Sequence, residues 1–308
     1  MKTDLSVQIG SLKLKNPVMT ASGTFGYGTE YQSIFDVAQL GAIITKTVTL
    51  EPRAGNPMPR IAETPAGMLN SIGLANVGVD RFLSEKLPAL ANLNTRVIVN
   101  VAGHDKASYT EITRRVSPHP RTDAIELNIS CPNVKQGGLA FGTDPKITYE
   151  VVKAARAVTE KPLIVKLTPN VTDIGTVARA AVDAGADALS LINTLLGMAI
   201  DIESRQPKIA RVLAGFSGPA IKPAALAKVY QVAQSVDVPL VGLGGIMNWQ
   251  DAVEFMLAGA TAVQVGTLNF VEPAGGLEVI RGLAEYGSAQ GLSRIDELVG
   301  AMVPIETV

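Results

Sequence analysis

The sequence predicts an α/β protein, one (β/α)8 TIM barrel spanning residues 1–308, with its active site at the C-terminal ends of the strands. Three observations predict it. Eight short runs rich in aliphatic and β-branched residues, at 17–20, 42–46, 97–100, 124–128, 163–167, 188–192, 240–243 and 262–265, recur along the chain with helical stretches between them. The chain is 47% hydrophobic but only 5% aromatic, as suits a parallel sheet buried on both faces. Nearly every run closes on a polar residue or a glycine, and in such barrels the strand ends form the catalytic face.

The intervening stretches at 147–158, 176–184, 224–235 and 249–258 have amphipathic spacing, so the pattern is a repeated strand-helix unit. Barrels of 200 to over 400 residues fold as one unit, so a length of 308 requires no second domain. An open doubly wound sheet is the competing arrangement. Its dinucleotide fingerprint is missing: after Val241 the chain reads Gly-Leu-Gly-Gly-Ile-Met, with no third glycine in register. Two long loops, 51–78 and 132–145, are rich in glycine, proline or asparagine and read as binding segments.

With 27 basic and 28 acidic residues spread along the chain, no electrostatic footprint for nucleic acid or an anionic membrane exists. The longest uncharged run, 255–271, is shorter than the ~20 residues of a membrane span and contains Gly259, Gln264, Gly266 and Asn269. No secretory pattern opens the chain, so a cytoplasmic protein is expected. Cys131 is the one cysteine, and with only His104 and His119 beside it no disulfide, iron-sulfur cluster or zinc site is expected, and no metal.

The residues closing the strands are Ser22, Lys46, Asn100, Asn128, Lys166, Asn193 with Thr194, Gly244 with Gly245, and Gly266 with Thr267. A lysine at a strand end can simply snorkel to water. Two of them on separate strands, Lys46 and Lys166, offer fixed positive charge for a carboxylate, a phosphate or a reduced flavin ring. Asn100 and Asn128 are turn residues or, because an amide both donates and accepts, partners for a pyrimidine or flavin edge. Gly218, Gly244, Gly245 and Gly266 read either as tight turns or as the phosphate cradle that barrels build after strands seven and eight. Glu126, two residues before Asn128 on the same face, is expected to anchor a barrel lysine one layer below. A lone thiol is ordinarily a small buried hydrophobe. Cys131, however, opens the glycine-containing loop just past strand four, where a lysine-rich rim would increase its thiolate fraction and suit it to take a carbon-bound proton.

In this order the motifs resemble the class 1 dihydroorotate dehydrogenases over essentially the whole chain. The matching segments are Asn-Pro-Val-Met-Thr-Ala-Ser-Gly-Thr-Phe-Gly (16–26), Thr-Lys-Thr-Val-Thr-Leu-Glu-Pro-Arg-Ala-Gly-Asn-Pro (45–57), Asn-Ser-Ile-Gly-Leu (70–74), Asn-Ile-Ser-Cys-Pro-Asn (128–133) and Gly-Gly-Ile (244–246). The resemblance implies oxidation of dihydroorotate to orotate in pyrimidine synthesis, with FMN at the top of the barrel, Cys131 removing the C5 proton and the C6 hydride passing to the flavin. It places Ser22, Lys46, Thr47, Asn100, Asn128, Lys166, Ile192, Gly218, Gly244, Gly245, Gly266 and Thr267 on FMN. Substrate would meet Lys46, Asn70, Ser71, Ile72, Gly73, Leu74, Asn128, Asn193 and Thr194. The segment 23–31 resembles the NAD-linked 1B type, which implies a homodimer joined to a second subunit carrying FAD and a 2Fe-2S cluster as a heterotetramer. After Leu74 this chain has Ala75 and Val77 where relatives often show Gln and Pro. Competing readings are an FMN barrel acting on another dihydropyrimidine, which would need no carboxylate partner at Lys46, and a flavin-free phosphosugar isomerase or lyase.

Overall fold

The structure, a computed structural model, describes residues 2–130, 141–303 and 305. Cys131 and most of the 132–145 loop therefore lie outside the described residues. Eight parallel strands close into a barrel: β1 (Val18–Thr20), β2 (Ala42–Ile44), β3 (Arg96–Val101), β4 (Ala124–Asn128), β5 (Leu163–Lys166), β6 (Ala188–Leu191), β7 (Leu240–Leu243) and β8 (Ala260–Val265). Each pairs with its neighbours in sequence, and β8 returns to β1. All eight expected strands are present, their ends differing by one or two residues.

The strands are buried along almost their whole length because helices cover the outside while side chains fill the inside. Six helices of nine residues or more, Lys106–Val116, Pro145–Arg156, Ile174–Asp183, Lys222–Ala233, Trp249–Leu257 and Gly275–Ala289, form that outer layer. Four begin where a side chain takes up free amides: Asp105, Asp144, Asp173 and Asn248 each accept from the first turn. Val7–Ile9 and Leu12–Leu14 make an antiparallel hairpin whose Gly10 lies against Asp187, just ahead of β6, so it sits at the N-terminal end of the barrel.

The opposite end carries a feature that the sequence reading missed. The 51–78 segment is not loop throughout. Ile61–Thr64 and Gly67–Asn70 form a hairpin that continues through Ala214–Ser217 to Leu195–Gly197, giving a four-stranded antiparallel sheet above the strand ends. Both contributing segments leave the barrel after a strand C-terminus, one after β2 and the other after β6. Leu69, Ile209 and Ala214 form a small core of their own under this cap.

Gly242 in β7 faces the helix Trp249–Leu257, and a Cβ there would lie 2.5 Å from the Phe255 ring, which has no exposed surface. Gly242→Ala should overpack this contact and cost about 1–3 kcal/mol. A denaturant melt checks this, and an unchanged midpoint would contradict it.

Candidate active site

Alternation along each strand sends every second residue into the barrel. The inward set is apolar low in the barrel and polar near its C-terminal end, where Asn100, Glu126, Asn128, Lys166, Ser190 and Gln264 are all buried. The carboxylate of Glu126 has no exposed surface. It accepts from Asn100 Nδ2 on β3, from Ser190 Oγ on β6 at 2.8 Å and from Gln264 Nε2 on β8 at 2.7 Å. Glu126 makes no direct hydrogen bond to a lysine among the described residues; its bonds go to two amides and a hydroxyl, and its charge reaches Lys166 without one. An ionised carboxylate only accepts, so it fixes which end of each amide faces it. The carbonyl oxygens of Asn100 and Gln264 are left buried without a protein partner among the described residues.

Lys166 lies above, its ammonium group 3.3 Å from Ser22 Oγ. Burial holds this lysine below its ordinary proton affinity, and Glu126 partly offsets that effect. Lys46 leaves the end of β2 at the opposite side of the mouth, its backbone tied to Gly26 by a 2.7 Å bond from its amide. No hydrogen bond or ion pair engages its half-buried ammonium group among the described residues. Burial again lowers its proton affinity, opposed by Glu30 and reinforced by Arg60. Glu30, which accepts from the amides of Tyr27, Gly28 and Thr29, was not singled out from the sequence.

The other expected residues fall into three groups. Asn128 Oδ1 accepts from Asn193 Nδ2 at 3.4 Å and from the Ser130 amide at 3.3 Å, while the Thr194 amide donates to Asn193 Oδ1, so these side chains meet over β4 to β6. Asn70 reaches the same area through the cap, pairing with Gly215, against which the Thr194 hydroxyl also packs. Ser71 to Leu74 are held instead by the 53–56 turn: Asn56 donates to Ser71 Oγ and to its carbonyl, and Ile72 O and Gly73 O accept from Asn56 and Arg53.

The third group is glycine-based. Ile192 N donates to Leu243 O, joining the tops of β6 and β7 beside Gly244. Gly218 and Gly245 have φ of 101° and 84°, and a Cβ on Gly245 would lie 2.8 Å from Lys222 N and 2.9 Å from Gly218 O. Across this convergence Thr267 Oγ1 donates to Ser217 Oγ at 3.0 Å. The amides of Gly244, Gly245, Gly266 and Thr267 find no acceptor among the described residues. The helix Lys222–Ala233 also starts without a side-chain cap. A cluster of free amides, most of them on glycines, suits an anionic ligand, a phosphate above all. Thr47 is buried next to Lys46. No cluster of three or more metal-ligating side chains occurs among the described residues.

The profile of the family described as dihydroorotate dehydrogenase matches residues 4–286. The chain belongs to the dihydroorotate dehydrogenase family. Among its relatives are proteins named dihydroorotate dehydrogenase B (NAD(+)), catalytic subunit, from Geotalea uraniireducens, Geotalea daltonii and Bacteroides thetaiotaomicron. They are 57%, 57% and 56% identical, over 98%, 98% and 97% of this chain and 99% of each relative. The family resemblance read from the motifs and the barrel expected from strand periodicity are thus both borne out. Among the described residues no helix is long and apolar enough to cross a membrane.

Lys46 yields a pH dependence with a definite sign. Its proton affinity is lower in the folded chain, so between the folded value and the ordinary 10.5 the unfolded chain binds more protons and stability rises with pH. Lys46→Met lacks this gain. The melting temperature of wild type should rise relative to that of the variant as pH climbs through the alkaline range, and parallel curves would contradict the assignment.

Proposed function

We propose that this chain oxidises dihydroorotate to orotate in pyrimidine synthesis, with FMN as its resident cofactor and NAD as the final acceptor. The observation that carries the reading is a mouth combining two lysines that make no salt bridge among the described residues, paired asparagines and a cluster of free amides, in a chain whose relatives bear that activity's name.

The residues present fit FMN. The amides at Gly244, Gly245, Gly266 and Thr267, with the close approach of Gly218, would hold its phosphate, because they have no acceptor among the described residues and three of the four carry no side chain of their own. Ser22, Lys46, Thr47, Asn100, Asn128, Lys166 and Ile192 would line the ring. The unpartnered Asn100 oxygen calls for an N–H donor, and the oxidised flavin ring has one. When bound, FMN supplies the acceptor for the hydride leaving C6 of the substrate.

The chain's own residues do the remaining work. Lys46, in no salt bridge among the described residues and already penalised for burial, gains by meeting the substrate carboxylate. Asn128 and Asn193, joined to each other and followed by Thr194, present alternating donors and acceptors to the ring amides of a dihydropyrimidine, and Asn70 closes over them from the cap. Cys131, the residue after Ser130, takes the C5 proton as base; positioned proton transfer of this kind contributes about 10²–10⁴-fold.

We further propose a homodimer joined to a second subunit carrying FAD and a 2Fe-2S cluster, working in the cytoplasm. The wording "catalytic subunit" in the relatives' names supports a partner, and a chain with a single cysteine cannot ligate a cluster itself. Exposed apolar side chains on the cap, Met58, Ile61, Leu196, Ile202 and Leu213 among them, support self-association through that face.

Anaerobic mixing with dihydroorotate tests the chemistry. The visible flavin band of the FMN-loaded wild type should bleach, and Cys131→Ala should bleach at least about a hundredfold more slowly near neutral pH. Equal rates would remove Cys131 from the mechanism.

A further inference from the structure

The barrel interior contains an ionisable group that the reaction itself does not use. Glu126 has no exposed surface, and a buried carboxylate is costly unless donors and an opposite charge compensate it. Three neutral donors are in place, from three other strands. One of them, Ser190, is the register partner of Lys166 across β5 and β6, so the carboxylate sits within one side chain of that lysine. Asn128, two residues on from Glu126, is the register partner of Lys166 on the other flank. Glu126 is the one charged group acting on Lys166 among the described residues; the remaining contact, Ser22, is neutral.

We propose that Glu126 is the buried counter-charge of Lys166, and so a positioning residue for the flavin site: its carboxylate keeps Lys166 cationic when a ligand seals the mouth and excludes water. This rests on the reading of the mouth as an FMN site. Without Glu126, sealing the mouth would leave an ammonium group in a dry pocket with one weak hydroxyl contact, and the proton would leave instead. The same carboxylate orients the Asn100 amide, its nitrogen inward and its oxygen free. A neutral residue at position 126 would fill the space but hold neither the charge nor the amide.

The test is FMN titration across pH with wild type, Glu126→Gln and Glu126→Asp, followed by flavin fluorescence. Wild-type affinity should stay flat from neutral into mildly alkaline pH. Glu126→Gln should bind FMN more weakly, with affinity falling by up to about tenfold per pH unit as Lys166 loses its proton, and lowering the pH should restore binding. Glu126→Asp, which keeps the charge, should retain the flat profile. A loss independent of pH, or no loss, overturns the proposal, whereas failure of wild type to bind FMN overturns the reading beneath it.

Thermal melts of the flavin-free chain give a second readout that survives poor folding of the single variant. If the two charges compensate each other, Glu126→Gln with Lys166→Met melts above either single variant, because no lone buried charge remains. Additive losses would overturn the pairing.

Discussion

A charge placed in the interior of a parallel barrel has nowhere to find water, and that constraint organises the C-terminal half of this molecule. Glu126 sits there with donors pointed at its carboxylate by Asn100, Ser190 and Gln264 from three strands. Those donors are then fixed in orientation. The arrangement commits the end of the barrel to polar chemistry, since Lys166, Ser22, Asn128 and Asn193 continue the network upward until it meets the mouth. The other end follows the opposite rule: β strands filled with Val, Ile, Leu and Ala, backed by an apolar hairpin, need no such compensation. The polarity gradient along the barrel axis is thus a consequence of where charges can be satisfied.

Above that network the fold separates two recognition tasks. The site proposed for the phosphate is built from backbone, after β7 and β8 and at Gly218, because free amides without side chains admit an anion closely. The opposite flank is built from side chains on β2, β4 and β6 together with the cap. Asn70 and Thr194 belong to segments more than a hundred residues apart, yet the pairing of Gly67–Asn70 with Ala214–Ser217 brings both to the same edge. In the proposed function the cap does for the substrate side what the barrel does for the cofactor side: it fixes positions that a loose loop would leave to chance.

Much of this was legible in the chain itself. Eight apolar runs with polar closing residues located the strands and the mouth, because strand burial and inward alternation are written in local composition. The cap was not legible. Ile-Ala-Glu-Thr and Gly-Met-Leu-Asn are short and half-exposed, and the hairpin they form is completed as a sheet by a segment far along the chain. Ser190 and Gln264 were missed although a signal existed: each is a lone polar residue within an apolar strand, where an uncompensated polar group would be costly. Glu126 was noticed together with a lysine, but its three direct hydrogen-bond partners were not foreseen, since parity along a strand tells which face a residue shares and not which neighbour it will bond.

In the proposed function the mouth holds a flavin carrying a phosphate, with backbone amides taking the anion and the charged network beneath taking the ring. Calorimetric titration of the flavin-free chain with FMN and with riboflavin tests that most directly. Several charge-assisted hydrogen bonds at about 1.5–3 kcal/mol each would be forfeited by riboflavin, so the account predicts one FMN bound per chain and riboflavin weaker by about a hundredfold or more. Equal affinity for the two flavins, or no binding of either, would contradict it.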